Sequence, residues 1–309
     1  MNGGDGVSLY LKYRPTDLDN FMGNKPTVQA LEAVLNKGED IPRAMLFTGQ
    51  SGCGKTTLAR IVAKRLGCAD SEFVEVDSAS YRGIDSIREI RKVMALRPLA
   101  GKCKVWLLDE VHAATKDAQT ALLKALEDTP KHVYFMLATT DPNKLLDTII
   151  GRCMQFSVSP LPDRGMTKLL LKVLADEKKD VPEEVLNSIV KESLGRPRFA
   201  LVLLDKVIDL PKERMLKAID RIAEEEDKTI ALCRALLRKD SWKLVREMVK
   251  DVEEDKVEST RRAVLGYCSS VLLGGDDPQC YLVMDSFRKP FYDNGKPGLI
   301  MACYEVLEA

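Results

Sequence analysis

Eight consecutive residues, Gly49, Gln50, Ser51, Gly52, Cys53, Gly54, Lys55 and Thr56, fill the pattern G-x-x-x-x-G-K-[ST], and they constrain this chain more than anything else in it. An apolar run at 44–47 precedes them and a helical pattern over 55–66 follows. Strand, glycine-rich turn and helix together aim backbone N–H groups at phosphate oxygens, because glycine takes unusual dihedrals and permits close approach. Lys55 adds positive charge where the β- and γ-phosphates lie, and Thr56 offers a hydroxyl to Mg²⁺. The helix N-terminus adds its own partial positive charge. Gly49 through Thr57 is therefore the expected nucleotide-binding stretch.

The surrounding sequence alternates in the way such a turn requires. Helical patterns are expected at 25–37, 86–96 and 118–127, and strands at 73–76, 104–108, 133–138 and 154–158. Strands alternating with helices imply a parallel sheet covered on both faces. Beyond Pro160, Leu161 and Pro162 the character changes. Amphipathic helices are expected at 166–178, 183–193 and 198–207, and from Lys212 onward the chain reads as helical with charged faces. The expected organisation is a nucleotide-binding core at 1–160, a helical segment at 161–224 and a second helical segment at 225–309.

Composition excludes less than it permits. With 309 residues and 45% hydrophobic content the chain has about two domains' worth of length and enough apolar matter to fill cores. Lysine plus arginine and aspartate plus glutamate each number 47, so global charge says nothing for or against nucleic acid, which a local basic stripe can track. No apolar stretch approaches the ~18 residues of a membrane span. The first residues carry neither a basic region nor an apolar core, so no signal peptide and no membrane partner are expected. Eight scattered cysteines with no C-x-x-C pair fit a reducing, cytoplasmic compartment.

A second motif complements the first. Residues 104–108 form an apolar run that ends in Asp109 and Glu110. Asp109 is placed to hold Mg²⁺ and Glu110 to polarise an attacking water as a general base. His112 is either a partner of Glu110 or a plain histidine at a helix start. Thr139 or Thr140, at the end of the next apolar run, either senses the γ-phosphate between the loop and Asp109 or caps a Thr-Asp-Pro turn. Arg152 and Arg198 are, on their own, arginines on a loop and near a helix start.

Taken together these residues resemble a known family. Leu11, Lys12, Tyr13, Arg14 and Pro15, the loop at 49–56, residues 107–112, 121–127 and 137–142, and Gly151, Arg152 and Cys153 are similar to the ATPase subunits of sliding-clamp loaders. That family includes the bacterial DNA polymerase III gamma/tau subunits, the replication factor C small subunits and the phage clamp-loader large subunits. The resemblance implies an α/β fold: a P-loop AAA+ module with a parallel sheet, then an α-helical lid and an all-α collar that assembles five subunits. It implies ATP and Mg²⁺ as cofactors, with a sliding clamp, primed-template DNA and other loader subunits as partners. Leu11, Lys12, Tyr13 and Met22 match positions that flank the adenine. Thr140 (or Thr139) matches the first sensor and Arg198 the second. Arg152 matches an arginine that completes a neighbour's ATP site, a contribution worth ~10³ or more in rate.

The family also implies phosphate contacts to DNA and an apolar plug for the clamp. The DNA candidates are Arg82, Thr115, Lys116 and Gln119, each of which is otherwise a solvated surface residue. The clamp candidates are Met94, Leu96 and Leu99, which could instead cover the module's own core. Two departures stand out. Gly151 replaces the serine of the Ser-Arg-Cys motif. Of the four cysteines of a zinc module that bacterial relatives insert, only Cys68 has a counterpart, so no zinc is expected. A chain ending near 309 without a long tail is expected of a phage or other minimal replication system, acting in the host cytoplasm. The rival readings are a non-hydrolysing stator of the same complex, another AAA+ motor such as a branch-migration helicase or a protein remodeller, and a plain P-loop kinase.

Overall fold

The computed structural model describes residues 7–76, 83–226, 228–274, 277–291 and 294–308. The chain divides into two compact units, Met1–Met215 and Leu216–Ala309. No described helix is long and apolar enough to cross a membrane.

The first unit is built on five parallel strands, β1 (Ala44–Thr48), β2 (Cys68–Val76), β3 (Cys103–Leu108), β4 (Val133–Thr139) and β5 (Met154–Ser157), in the order β2-β3-β4-β1-β5. Successive side chains of a strand point to opposite faces, and both faces are covered, so β1, β3 and β4 read as continuous apolar runs rather than alternating ones. Met45, Phe47, Val105, Leu107, Tyr134 and Met136 enter one core, which holds Leu31 and Val34 of α2 (Lys25–Leu35) and Leu58, Ile61 and Val62 of α3 (Lys55–Arg65). Leu46, Trp106, Leu108, Phe135 and Leu137 enter the other, with Ile87, Ile90 and Met94 of α4 (Ile84–Met94) and Ala118, Leu122 and Ala125 of α5 (Lys116–Glu127). The expected strand at 73–76 is the end of a longer one. β2 starts at Cys68 because it is an edge strand, paired only with β3, where a polar stretch such as Asp70, Ser71 and Glu72 is tolerated.

The order places β4 between β1 and β3. The turns after β1, β3 and β4 therefore meet at the C-terminal end of the sheet, where open α/β sheets bind ligands. Three helices complete this unit: α7 (Asp163–Glu177), α8 (Glu183–Ser193) and α9 (Pro197–Val207), joined through Met166, Leu170, Val173, Val185, Ile189, Leu203 and Leu204, all buried. Pro197 stands at the first helical position of α9, where its missing N–H costs nothing. Two one-turn helices, α1 (Leu9–Lys12) and α6 (Asp147–Ile150), are too short to show a helical period; α6 is the helix-like segment before Gly151. Ser8 Oγ donates to Asp205 Oδ2 at 2.8 Å, tying the start of α1 to α9.

After α10 (Lys212–Glu226), α11 (Lys228–Leu237), α12 (Trp242–Lys250), α13 (Val257–Gly274), α14 (Pro278–Ser286) and α15 (Gly295–Glu308) surround a separate core that includes Leu236, Val249, Val264, Phe287, Leu299 and Val306. Arg261 Nη1 donates to Phe287 O at 2.8 Å and its Nε to Glu258, fixing α13 against the end of α14. No strand occurs among the described residues after Ser157.

Candidate active site

The glycine-rich turn at the end of β1 has the conformation its residue types predict. Gly49 sits at φ +147°, and a Cβ there would lie 2.1 Å from Val158 O. Gly54 sits at φ +109°, with the Phe21 ring 2.9 Å from where a Cβ would stand. Neither position admits a side chain. Lys55, the first residue of α3, is buried and donates to Gly49 O at 2.8 Å and Gln50 O at 3.1 Å. Burial lowers the pKa of its ammonium, and the nearby Glu110 and Asp109 carboxylates oppose that shift.

Thr56 Oγ1 donates to Asp109 Oδ2 at 2.9 Å, so the hydroxyl and the carboxylate expected at a Mg²⁺ ion face one another. An alcohol oxygen and one carboxylate, with room for phosphate oxygens and water, form the donor set Mg²⁺ prefers. Glu110 adopts the left-handed conformation at φ 49°, unusual for a residue with a side chain. Its Oε2 accepts from Thr140 Oγ1 at 3.0 Å and from Thr140 N at 3.3 Å, and lies 3.2 Å from His112 Nδ1. His112 Nδ1 is also 3.0 Å from Thr139 Oγ1. Thr139 is fully buried, so of the two threonines Thr140 alone presents its hydroxyl to Glu110. His112 is thus a neighbour of Glu110.

Lys55, Thr56, Asp109 and Glu110 open onto a cavity of about 520 Å³ lined by residues of the turn from Ser51 to Thr57 and by Lys12, Tyr13 and Met22, whereas Thr140 and His112 contact Glu110 without lining it. Arg198 closes it from α9: its N–H lies 3.5 Å from Gly52 O, and its guanidinium stacks 5.1 Å from the Tyr10 ring. Lys12 Nζ and Tyr13 Oη both donate to Glu177 Oε1 at 2.6 Å. Burial first, and then that bond, push the Tyr13 phenol upward. Further wall residues escaped the sequence reading: Arg14, Asn20, Phe21, Lys172, Asp176 and Leu201. Arg14 and Phe21 border matched positions, but nothing in the pattern of α7 or α9 marks Lys172, Asp176 or Leu201 as facing a ligand.

Other expected site residues lie elsewhere. Leu11 is half exposed and does not line the cavity, because its one-turn helix turns Tyr10, Lys12 and Tyr13 toward the site instead. Gly49 and Gln50 contribute carbonyls to Lys55 rather than cavity wall. Arg152 is remote from the cavity of its own chain. It precedes β5, whose Met154 is level with Met45, and pairs with Glu127 and with Thr148 O at 3.1 Å. Gln119 is no surface contact. It is 3% exposed, its Nε2 donates to Ala114 O and Lys144 O at 3.2 Å each, and its Oε1 accepts from Leu146 N at 2.9 Å. A fully engaged buried amide has nothing left for a phosphate. Thr115 caps α5 by accepting from Ala118 N at 3.2 Å, and Lys116 beside it is exposed. Arg82 lies outside the described residues. Met94 is 5% exposed and belongs to the core under α4, so it is no plug, whereas Leu96 and Leu99 stand out from the surface.

The DNA polymerase III subunit gamma of Buchnera aphidicola (subsp. Acyrthosiphon pisum) is 34% identical over 259 residues, covering 76% of this chain and 72% of that protein. The chain belongs to the DNA polymerase III gamma/tau family. The gamma/tau subunit of Mycobacterium tuberculosis (strain H37Rv) is 30% identical over 307 residues, covering 91% of this chain and 50% of that one, so the chain spans about half the length of such gamma/tau relatives. A family described as DNA polymerase III, delta subunit, matches residues 69–162, and one described as Sigma-54 interaction domain matches 21–85. Among solved structures, the RuvB Holliday junction branch migration motor of Thermotoga maritima superposes with a TM-score of 0.59 at 21% identity, over 73% of this chain and 79% of that one. At that identity the likeness speaks to fold alone. The gamma/tau chain has the fold of a P-loop AAA+ module with a parallel sheet and helical domains.

Proposed function

We propose that this chain is an ATP-hydrolysing subunit of a DNA polymerase sliding-clamp loader. The observation that carries the reading is the convergence of Lys55, the Thr56–Asp109 pair and Glu110 on one cavity in a gamma/tau chain. The backbone N–H groups of the turn and the Lys55 ammonium bind the phosphates of ATP. Lys55 exchanges its carbonyl partners Gly49 and Gln50 for phosphate oxygens. Thr56 and Asp109 would hold Mg²⁺, which would supply positive charge against the phosphates. Glu110 accepts the proton of the attacking water. Thr140 orients that carboxylate. Tyr13 and Met22 flank the adenine, and Arg198 lies over the phosphates from the lid.

In this reading residues 1–160 form the AAA+ core, 161–224 the lid and 225–309 the collar of an assembly of five subunits working in the cytoplasm. Arg152 enters a neighbour's site and stabilises transition-state charge there. Thr115 and Lys116, at the N-terminus of α5, contact the phosphates of primed DNA, which carry no base information and so suit a loader acting at any primer end. Leu96 and Leu99 enter the clamp. ATP binding opens the clamp and hydrolysis releases it closed on DNA.

The test is steady-state ATP hydrolysis by the chain with its clamp and partner subunits, without DNA, with blunt duplex and with primed template, for wild type and Arg152→Ala. Primed template raises the rate severalfold, and Arg152→Ala abolishes the rise while ATP binding persists. A rate indifferent to clamp and DNA overturns the proposal.

A further inference from the structure

The turn that carries Leu96 and Leu99 is held from beneath by side chains that take no part in the nucleotide site. Leu99 is 100% exposed and Leu96 62%. Between α4 and β3, Gly101 bridges Cys68 and Lys102 N donates to Gly67 O at 2.8 Å, but the stretch 95–100 is neither helix nor strand, and a segment of this kind would sample many conformations unless tied down. Two side chains tie it.

Glu72, on edge strand β2, is 6% exposed. Its Oε1 accepts from Leu99 N at 2.7 Å, and its Oε2 lies 3.4 Å from the buried Lys104 Nζ at the start of β3. The Leu99 N–H, followed by Lys104, holds the Glu72 carboxyl below its usual range. His132, just before β4, has Nε2 3.2 Å from Met94 O and 3.1 Å from Leu96 O; both partners are acceptors, so Nε2 carries the proton.

A carboxylate on the edge strand and an ammonium at the start of its neighbour could remain in water at no cost, so their burial calls for a structural task. Phe73 pairs with Val105 and Lys104 with Val133, so the two anchors, Glu72 and His132, lie near the level at which β3 starts, the end of the sheet opposite Lys55. What they share is the turn they grip.

We propose that Glu72 and His132 are positioning residues for clamp binding: they fix the backbone at Leu96 and Leu99 so that both leucines are presented, already ordered, to an apolar pocket of the clamp. Pre-ordering removes part of the entropy that docking would otherwise cost. The proposal rests on the reading of Leu96 and Leu99 as clamp contacts.

The experiment measures affinity of the full chain, assembled with its partner subunits and ATP, for the sliding clamp encoded in the same genome, together with hydrogen exchange over 95–100 and ATP affinity without clamp. Leu96→Ala/Leu99→Ala weakens clamp binding at least tenfold. Glu72→Ala and His132→Ala each weaken it about three- to tenfold, speed exchange at Leu99 and Leu96 respectively, and leave ATP affinity unchanged. Glu72→Gln and His132→Gln, which keep an acceptor and a donor, restore most of both. Glu72→Ala adds little once Leu99 is alanine, because the two act through one contact. Glu72→Ala also strands Lys104, so Glu72→Ala/Lys104→Met provides the same comparison without an unpaired buried charge.

If the leucine variant fails to bind while the Glu72 and His132 variants bind like wild type, or if the effect of Glu72→Ala adds fully to that of Leu99→Ala, the positioning proposal is overturned and the clamp reading stands. If the leucine variant binds like wild type, the clamp reading falls and takes the proposal with it.

Discussion

Glu127 holds Arg152 at the end of the sheet opposite Lys55. Met154 is level with Met45, and four residues of strand, roughly 13 Å, separate Met45 from Gly49. No rotamer of Arg152 spans that distance to the phosphates of its own chain. Arg152→Ala is therefore expected to leave ATP affinity of the single chain unchanged and to lower hydrolysis by the assembly ~10³-fold or more. Glu127→Gln, which keeps the shape but removes the charge that detains the guanidinium, leaves hydrolysis by the assembly at or above wild type. Equal losses in the single chain and the assembly would contradict this placement of the arginine.

The carboxylate of Glu110 is engaged by Thr140 and faces His112. Glu110→Gln keeps the side chain's shape and removes its basicity, so hydrolysis falls ~10²–10⁴-fold with ATP binding retained. Thr140→Val removes the donor that orients Glu110 and lowers the rate by a smaller factor, with little further loss in the Glu110→Gln background. Single-turnover hydrolysis beside equilibrium ATP titration separates the two effects.

Thr56 and Asp109 form the hydroxyl–carboxylate pair proposed to hold Mg²⁺. Thr56→Ala raises the Mg²⁺ concentration for half-maximal hydrolysis about tenfold or more, while Thr56→Ser, which keeps the hydroxyl, stays near wild type. A Mg²⁺ titration that is the same for all three proteins would place the metal elsewhere.

Gln119 joins the start of α5 to the segment leading into α6 through three bonds to backbone atoms. Gln119→Leu takes their partner from one buried carbonyl, one half-buried carbonyl and one half-buried N–H, at a cost of about 2 kcal/mol. Thermal denaturation should show a melting temperature lower by about 4–8 °C for a unit of this size. A variant that melts like wild type yet loses DNA-stimulated hydrolysis would return Gln119 to the surface role that its burial argues against.

What could be read in the sequence was what short stretches specify by themselves. The turn from Gly49 to Thr56 and the end of β3 at Asp109 and Glu110 carry their chemistry in neighbouring residues, and the alternation of strands and helices placed them on one sheet end. What could not be read depends on which way a side chain turns. Val93 and Met94 both continue the apolar spacing of Ile87 and Ile90, but the packing buries Met94 and leaves Val93 39% exposed. Gln119 sits one residue past the apolar position Ala118, and only the approach of the segment at 144–146 buries it. The Glu72–Lys104 pair and the Glu127–Arg152 pair join residues 32 and 25 apart, on separate elements, and no local pattern announces such partners.

If Arg152 completes a neighbour's site, as proposed, its distance from the site of its own chain makes each copy a directional object, lending a group at one end and needing one at the other. Copies of such an object assemble head to tail, and the number of complete sites then depends on closure. In a closed ring every copy has a donor behind it. In an open arc one terminal site always lacks its arginine, so the stoichiometry of hydrolysis-competent sites reports whether the assembly has a gap, the kind of opening through which a strand of DNA could pass.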